Sequence, residues 1–230
     1  MDLSRARILI IRLSAIGDVL HATPVARALR RALPAAHIAW LASPPADELL
    51  AACPEIDELL VWDRRPFDRA VAHGRFLEAF RLLREARALL APRRFDVAFD
   101  VQDLLLTGIL ARLSGAPRRI GVRERHEGAG FFMTEKAPKM AEPHKVRRYL
   151  ASLAPLGIAH EDTRIAAASR CAHGLRRALF RRTLHRARSP DRAREPLHDV
   201  AEQGVAARAL LRRARFSSGR CADRLFGKRR

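Results

Sequence analysis

Hydrophobic positions follow two alternating periods over the first 165 residues and neither of them afterwards. Arg7-Ile-Leu-Ile-Ile-Arg12 is a short unbroken apolar run, the pattern of a strand covered on both faces of a parallel sheet. A turn with Gly17 follows. Val19 to Leu33 then places apolar residues at helical spacing, with Pro24 tolerable near the start and Pro34 ending the helix. His37 to Ala42 reads as a second strand, Ala46 to Ala52 as a short helix and Glu58 to Trp62 as a third strand. Arg75 to Leu90 reads as an amphipathic helix with Phe76, Ala79, Phe80 and Leu83 on one face. Phe95 to Val101 is a fourth strand, Leu104 to Leu113 a helix ended by Gly115, and Arg118 to Val122 a fifth strand. Lys145 to Leu156 is a last helix, capped by Gly157. Strands alternating with helices predict an α/β domain over residues 1–165: a Rossmann-like parallel sheet, with ligands expected at the carboxyl ends of its strands.

Residues 166–230 have no strand pattern. Their apolar residues are mostly Ala and isolated Leu among arginines, and only Ala207 to Arg215 reads as a basic helix. Charge changes at the same place. The chain has a formal net charge of +19, and residues 166–230 alone hold 17 Arg and one Lys against five acids. The expectation is a boundary near Ile165, then an irregular or disordered tail in which repulsion outweighs sparse apolar area.

No run approaches the ~18 apolar residues of a membrane span, and Ile8 to Ile11 is too brief for a signal peptide's apolar region. Cys53, Cys171 and Cys221 are widely separated and have no metal-ligand spacing, so free thiols in a reducing cytoplasm are expected.

The first turn holds the most concentrated chemistry. A strand leads into the start of a helix, whose first N–H groups are unpaired and attract anions. Gly17 lets the backbone approach a ligand closely. Ser14 is the better hydroxyl for phosphate contact, and Thr23 reads as a helix residue. Asp18 reads either as an ionised carboxylate near the helix dipole or simply as the N-cap. His21, one turn on, is a ligand or an ordinary helix histidine. Arg64 and Arg65 follow the third strand, where phosphate-binding arginines would be useful.

Four segments carry a resemblance. Ile8-Leu-Ile-Ile-Arg-Leu-Ser-Ala-Ile-Gly-Asp-Val-Leu-His-Ala-Thr-Pro24 is similar to the opening of glycosyltransferase family 9, which contains the lipopolysaccharide heptosyltransferases. Phe95-Asp-Val-Ala-Phe-Asp-Val-Gln-Asp-Leu-Leu106, Arg119-Ile-Gly-Val-Arg-Glu124 and His144-Lys-Val-Arg-Arg-Tyr-Leu150 resemble later segments in the family's order. Asp103 stands where the family usually has Gly, and Leu106 where many members have Lys. The resemblance implies the first half of a GT-B fold, the acceptor-binding domain. It implies transfer of heptose from ADP-heptose, with inversion, to a phosphorylated lipid A–Kdo acceptor. It assigns Asp18 as the base that takes the acceptor hydroxyl's proton. Ser14, Gly17, His21, Gln102, Arg123 and His144 are then the substrate-binding candidates. Gln102 bonds a sugar hydroxyl or caps a turn; His144 binds acceptor or starts the last helix. Neither metal nor cofactor is expected. A cytoplasmic enzyme with peripheral contact to the inner membrane would reach such an acceptor.

The tail does not look like the donor-binding second domain that this family requires. Glu195 to Leu211, back-translated with permitted codons and read one base later, gives Asn-Pro-Cys-Thr-Thr-Trp-Pro-Ser-Lys-Glu-Trp-Pro-Leu-Glu-Arg-Tyr. That resembles the family's donor motif of two Trp-Pro pairs with an intervening Lys. A shift of reading frame near residues 165–170 is therefore expected, leaving a truncated chain with little or no transferase activity. The principal alternative is a nucleic-acid-binding protein using the basic tail; only Phe180, Phe216 and Phe226 are there to stack on bases. A nicotinamide-dependent enzyme is disfavoured because the first turn lacks GxGxxG.

Overall fold

The structure, a computed structural model, describes residues 3–51, 53–122, 128–138, 144–158 and 163. Arg123 and the tail from 166 to 230 lie outside the described residues, as do the expectations attached to them.

Six parallel strands form one sheet in the order β3-β2-β1-β4-β5-β6. The strands are β1 (Arg7–Ile11), β2 (His37–Ala42), β3 (Glu58–Val61), β4 (Val97–Asp100), β5 (Arg118–Gly121) and β6 (Glu135–Lys136). The helices are α1 (Ile16–Ala32), α2 (Asp47–Leu50), α3 (Arg64–Ala72), α4 (Phe76–Leu90), α5 (Leu105–Leu113) and α6 (Lys145–Leu150). The α/β expectation for the described part of 1–165 is met, with β1 to β5 each within a few residues of its expected place.

The alternation of side chains along each strand explains the three layers. Ile8 and Ile10 of β1, with Ile38 and Trp40 of β2 and Phe99 of β4, face Val25 and Leu29 of α1 and Val146 and Tyr149 of α6. Leu9 and Ile11, with Leu41 and Ala98, face Leu82 and Ala86 of α4 and Leu110 of α5. Both faces are covered, so the strands can be apolar throughout.

Some boundaries moved. Helix α1 begins at Ile16, three residues before the expected start, because the backbone is already helical after Ala15 and the Val19 N–H donates to the Ala15 carbonyl at 2.9 Å. The last helix is α-helical only to Leu150. Ala151–Leu156 is a tighter 3-10 turn that contains Pro155, and Gly157 ends it at φ 69°. Besides the short 3-10 turns Ala91–Arg93 and Ala129–Phe131, two elements escaped the sequence reading. One is α3, opened by Asp63, whose side chain accepts from the Arg65 N–H. The other is β6, only two residues long.

Helix α4 also sits differently about its axis. Its buried residues are Ala79, Leu82, Ala86 and Leu90. Ala79 belongs to the expected face, but Phe76 and Phe80 point outward and are 71% and 62% exposed. Ala79 and Ala86 bring the helix backbone close to a sheet whose facing residues are already large, which leaves no room for the phenylalanines.

Candidate functional site

The sheet order turns outward on either side of β1, with β2 on one flank and β4 on the other. The carboxyl ends of β1 and β4, where the order reverses, are the usual ligand position on such sheets. Three contacts tie the rim together. The Leu13 N–H donates to Gln102 Oε1 at 2.8 Å. Arg12 Nη1 donates to the Val101 carbonyl at 2.8 Å. The indole N–H of Trp40 donates to the Arg12 carbonyl at 3.3 Å.

Asp18 lies in the first turn of α1, at the third helical position, so it is not the N-cap; that place belongs to Ala15, which has no capping side chain. Its carboxylate is held from two sides. Arg12 Nη2 is 2.6 Å from Oδ2, and Lys145 Nζ donates to Oδ1 at 2.8 Å. The Arg12 guanidinium is almost fully buried and also stacks over the Tyr149 ring, 5.3 Å from its centroid. Burial alone would raise the Asp18 carboxyl. The Lys145 hydrogen bond, with the charges of Arg12, Lys145 and His21, more than offsets it and holds the group below its ordinary value. Asp18 is therefore ionised at neutral pH, at the mouth of the sheet and 22% exposed.

His21 follows on the same side of α1. Burial lowers its pKa against the opposing pull of Asp18, so the ring is neutral at pH 7, and its buried Nδ1 has no hydrogen-bond partner among the described residues. His144 stands exposed at the N-cap of α6, near enough for its charge to act on His21. Ser14 Oγ accepts from Arg64 Nη1 at 3.3 Å. Arg64 is in turn oriented by Asp68, at 2.8 and 3.1 Å. Arg65 turns back onto its own Asp63. Gly17 has open space where a Cβ would stand, so nothing among the described residues requires glycine there.

Asp18, His21, Ser14, Arg64 and His144 thus converge at one end of the sheet. Thr23 does not join them: it is buried and its hydroxyl donates to the Leu20 carbonyl. Gln102 is also buried, with Oε1 used on the Leu13 N–H, so it clamps two loops together. Asp103 resolves the question raised by the missing glycine. It adopts φ 58°, the left-handed conformation that Gly takes freely and that Asp tolerates better than most residues. Beside it, buried Asp100 accepts from the Gln102 and Asp103 N–H groups and from the Thr107 hydroxyl. Sequence reasoning missed Arg12 and Lys145. Arg12 passed as the polar end of a strand, and Lys145 is 127 residues from its partner. No group of metal ligands occurs among the described residues.

Residues 82–178 match Glycosyltransferase family 9 (heptosyltransferase). The lipopolysaccharide core heptosyltransferase OpsX of Haemophilus influenzae is 24% identical over 151 residues, 65% of this chain and 40% of its own length. A crystal structure of a family 9 glycosyltransferase from Veillonella parvula superposes with a TM-score of 0.58 at 28% identity, covering 72% of this chain and 45% of that one. The E. coli heptosyltransferase WaaC with ADP superposes at 0.60 and 22% identity, covering 70% and 52%. These matches support a heptosyltransferase-like domain of glycosyltransferase family 9, and the chain spans about half the length of the relatives it matches or less.

Proposed function

We propose that this domain is the acceptor-binding half of a lipopolysaccharide core glycosyltransferase in which Asp18 is the general base. The observation that carries the reading is an ionised carboxylate, gripped by Arg12 and Lys145 at the carboxyl end of β1, on a rim that also gathers Ser14, Arg64, His21 and His144. Transfer with inversion moves the acceptor hydroxyl's proton to Asp18 as its oxygen bonds the anomeric carbon of heptose. The bond from that carbon to the phosphate of ADP-heptose breaks, and ADP leaves with the electron pair. A strongly stabilised carboxylate is a poor proton acceptor. Lys145 therefore has to release Oδ1 as the acceptor enters, and a phosphate on the acceptor is a natural new partner for its ammonium group. Arg64, tethered by Asp68 beside Ser14, offers a second phosphate contact. Arg123 completes the acceptor site on the likeness of its segment alone.

In this reading the donor, ADP-heptose, binds a second domain, which residues 166–230 do not supply because the frame shifts near residues 165–170. The chain as it stands then binds acceptor without turning it over. It works at the cytoplasmic face of the inner membrane, where a lipid-linked acceptor is found; among the described residues no helix is long and apolar enough to cross a membrane.

Three measurements test this. Calorimetry with phosphorylated Kdo–lipid A should give binding to the full chain that weakens at least about tenfold when the acceptor is dephosphorylated, as loss of a charge-assisted contact predicts. Sequencing the locus should show the donor motif continuing in the shifted frame. With that frame restored, Asp18→Asn should lower kcat by about 10²–10⁴-fold with little change in acceptor affinity. Equal affinity for both acceptors, or an Asp18→Asn enzyme of normal kcat, sinks the assignment.

A further inference from the structure

Helix α4 carries apolar side chains on two flanks. Ala79, Leu82, Ala86 and Leu90 recur at helical spacing and close the sheet face. Phe76, Leu77 and Phe80 lie off that stripe and face water, Leu77 at 89% exposure. Soluble surfaces seldom concentrate two aromatic rings and a leucine within five residues without a use for them. Their neighbours on the helix are informative. At about 100° per residue, Phe76, Phe80 and Leu77 share a flank with the exposed Arg84 and Arg87. The only acids of α4, Glu78 and Glu85, fall on the other side, where Glu78 pairs with Arg75 at 3.0 Å and Glu85 with Arg81 at 3.9 Å. The flank is therefore apolar and cationic with no acid in it.

That combination fits an interface between lipid chains and anionic headgroups. Aromatic and leucine side chains enter the boundary, while arginine stems lie along it and their guanidinium groups reach phosphates. A protein groove would match the apolar residues but not a convex helix edge carrying unneutralised arginines. Orientation supports the same partner. Helix α3 starts at the carboxyl end of β3, where Arg64 meets Ser14, and α4 then runs back toward the start of β4. The first turn of α4 thus lies at the same end of the sheet as Asp18.

We propose that the Phe76–Leu77–Phe80 flank of α4, with Arg84 and Arg87, is a docking surface for an anionic phospholipid membrane. The inference deepens the reading that places the chain at the inner membrane, by naming the surface that meets the lipid, and it holds whichever sugar is transferred.

The arginine-rich tail will also attract anionic vesicles, so the test has to report insertion at α4 rather than mere attachment. Leu77→Trp in the full chain does so, with the unsubstituted chain correcting for the buried Trp40 and Trp62. Mixed phosphatidylglycerol–phosphatidylcholine vesicles should shift the added emission to the blue, and lipids brominated in the upper acyl chain should quench it about twofold. Vesicles of phosphatidylcholine alone should do neither. The double variant Phe76→Ser/Phe80→Ser, at exposed positions, should keep the wild-type urea midpoint and lose about tenfold in partitioning onto the mixed vesicles. Co-sedimentation without quenching would mean that the tail alone binds, and would overturn the proposal. So would an added emission already blue-shifted and shielded from iodide before any vesicle is present, because the flank would then be covered by the chain itself or by a second copy.

Discussion

At the scale of single residues, Asp18 stays ionised because Lys145 and Arg12 together outweigh its burial. Asp18 could be found because its motif surrounds it in sequence. The two cations that set its charge state could not, since one is a strand end and the other arrives from α6 through folding alone. Their roles differ in depth. Lys145 is nearly half exposed, so replacing it removes a charge without leaving a buried hole. Lys145→Met should raise the Asp18 pKa toward the ordinary carboxylate value and change stability by less than about 1 kcal/mol. Titration of the Asp18 carboxyl carbon by NMR checks this, and an unmoved curve counts against Lys145 as its partner. Arg12 is buried, and its loss leaves the Val101 carbonyl without its guanidinium donor and Asp18 with Lys145 alone. Arg12→Met should therefore cost about 3–5 kcal/mol, read as a fall in the urea midpoint. Asp103 permits a sharper comparison. At φ 58°, Asp103→Gly is accommodated, whereas Asp103→Val should be less stable than the glycine variant by about 1–3 kcal/mol. Equal midpoints for the two would mean that the turn relaxes out of the left-handed region.

Elements were legible where hydrophobicity was continuous and illegible where neighbours decide. Strands β1, β2 and β4 are apolar on both faces, so their runs marked them without any knowledge of tertiary structure. Strand β6 has two residues, and its place depends on β5 rather than on its own Glu135-Lys136. Helix α3 hid because Arg64-Arg65-Pro66 reads as a loop unless the Asp63 cap is noticed. Helix α4 was found with its length correct but partly with the wrong face. A periodic pattern identifies a helix, while close packing chooses which residues lie inward; here small alanines won over phenylalanines. Two substitutions decide between the faces. Leu82→Ala opens a cavity against the sheet and should cost about 2–4 kcal/mol in urea denaturation. Phe80→Ala should stay within about 0.5 kcal/mol of wild type. If Phe80→Ala proves the more damaging, α4 packs in solution with Phe80 turned inward.

For the whole domain, acid sensitivity follows from where its carboxylates stand. Asp18, Asp57, Glu58, Asp63 and Glu135 all have lowered pKa values. The partners of the last four are Ile38 N–H with Arg30, Arg93 with His37, Arg65, and Arg118, respectively. Their stabilisation is complete above the ordinary carboxylate value and is lost as pH falls through the depressed folded values. Asp100 works the other way. Complete burial outweighs its three hydrogen bonds and pushes it up to about 6, with the nearby Asp103 adding to the rise. The folded protein then binds that proton more tightly than the unfolded chain. The contribution is present below about pH 4 and is lost as pH rises through 6, a change of at most about 3 kcal/mol. His21, held low by burial, has the opposite slope near the same range: its cost grows as pH falls below the usual histidine value. The total profile therefore blends the two, but a difference between variants isolates one. Asp100→Asn keeps an acceptor for the Gln102 and Asp103 N–H groups and supplies an N–H toward Thr107 Oγ1, so the fold should survive. Subtracting wild-type from variant urea stabilities cancels His21, and the remainder should rise in the variant's favour from about pH 4 to a plateau above 6. A flat difference across that range would show that Asp100 is ionised throughout, and that its three hydrogen bonds outweigh its burial.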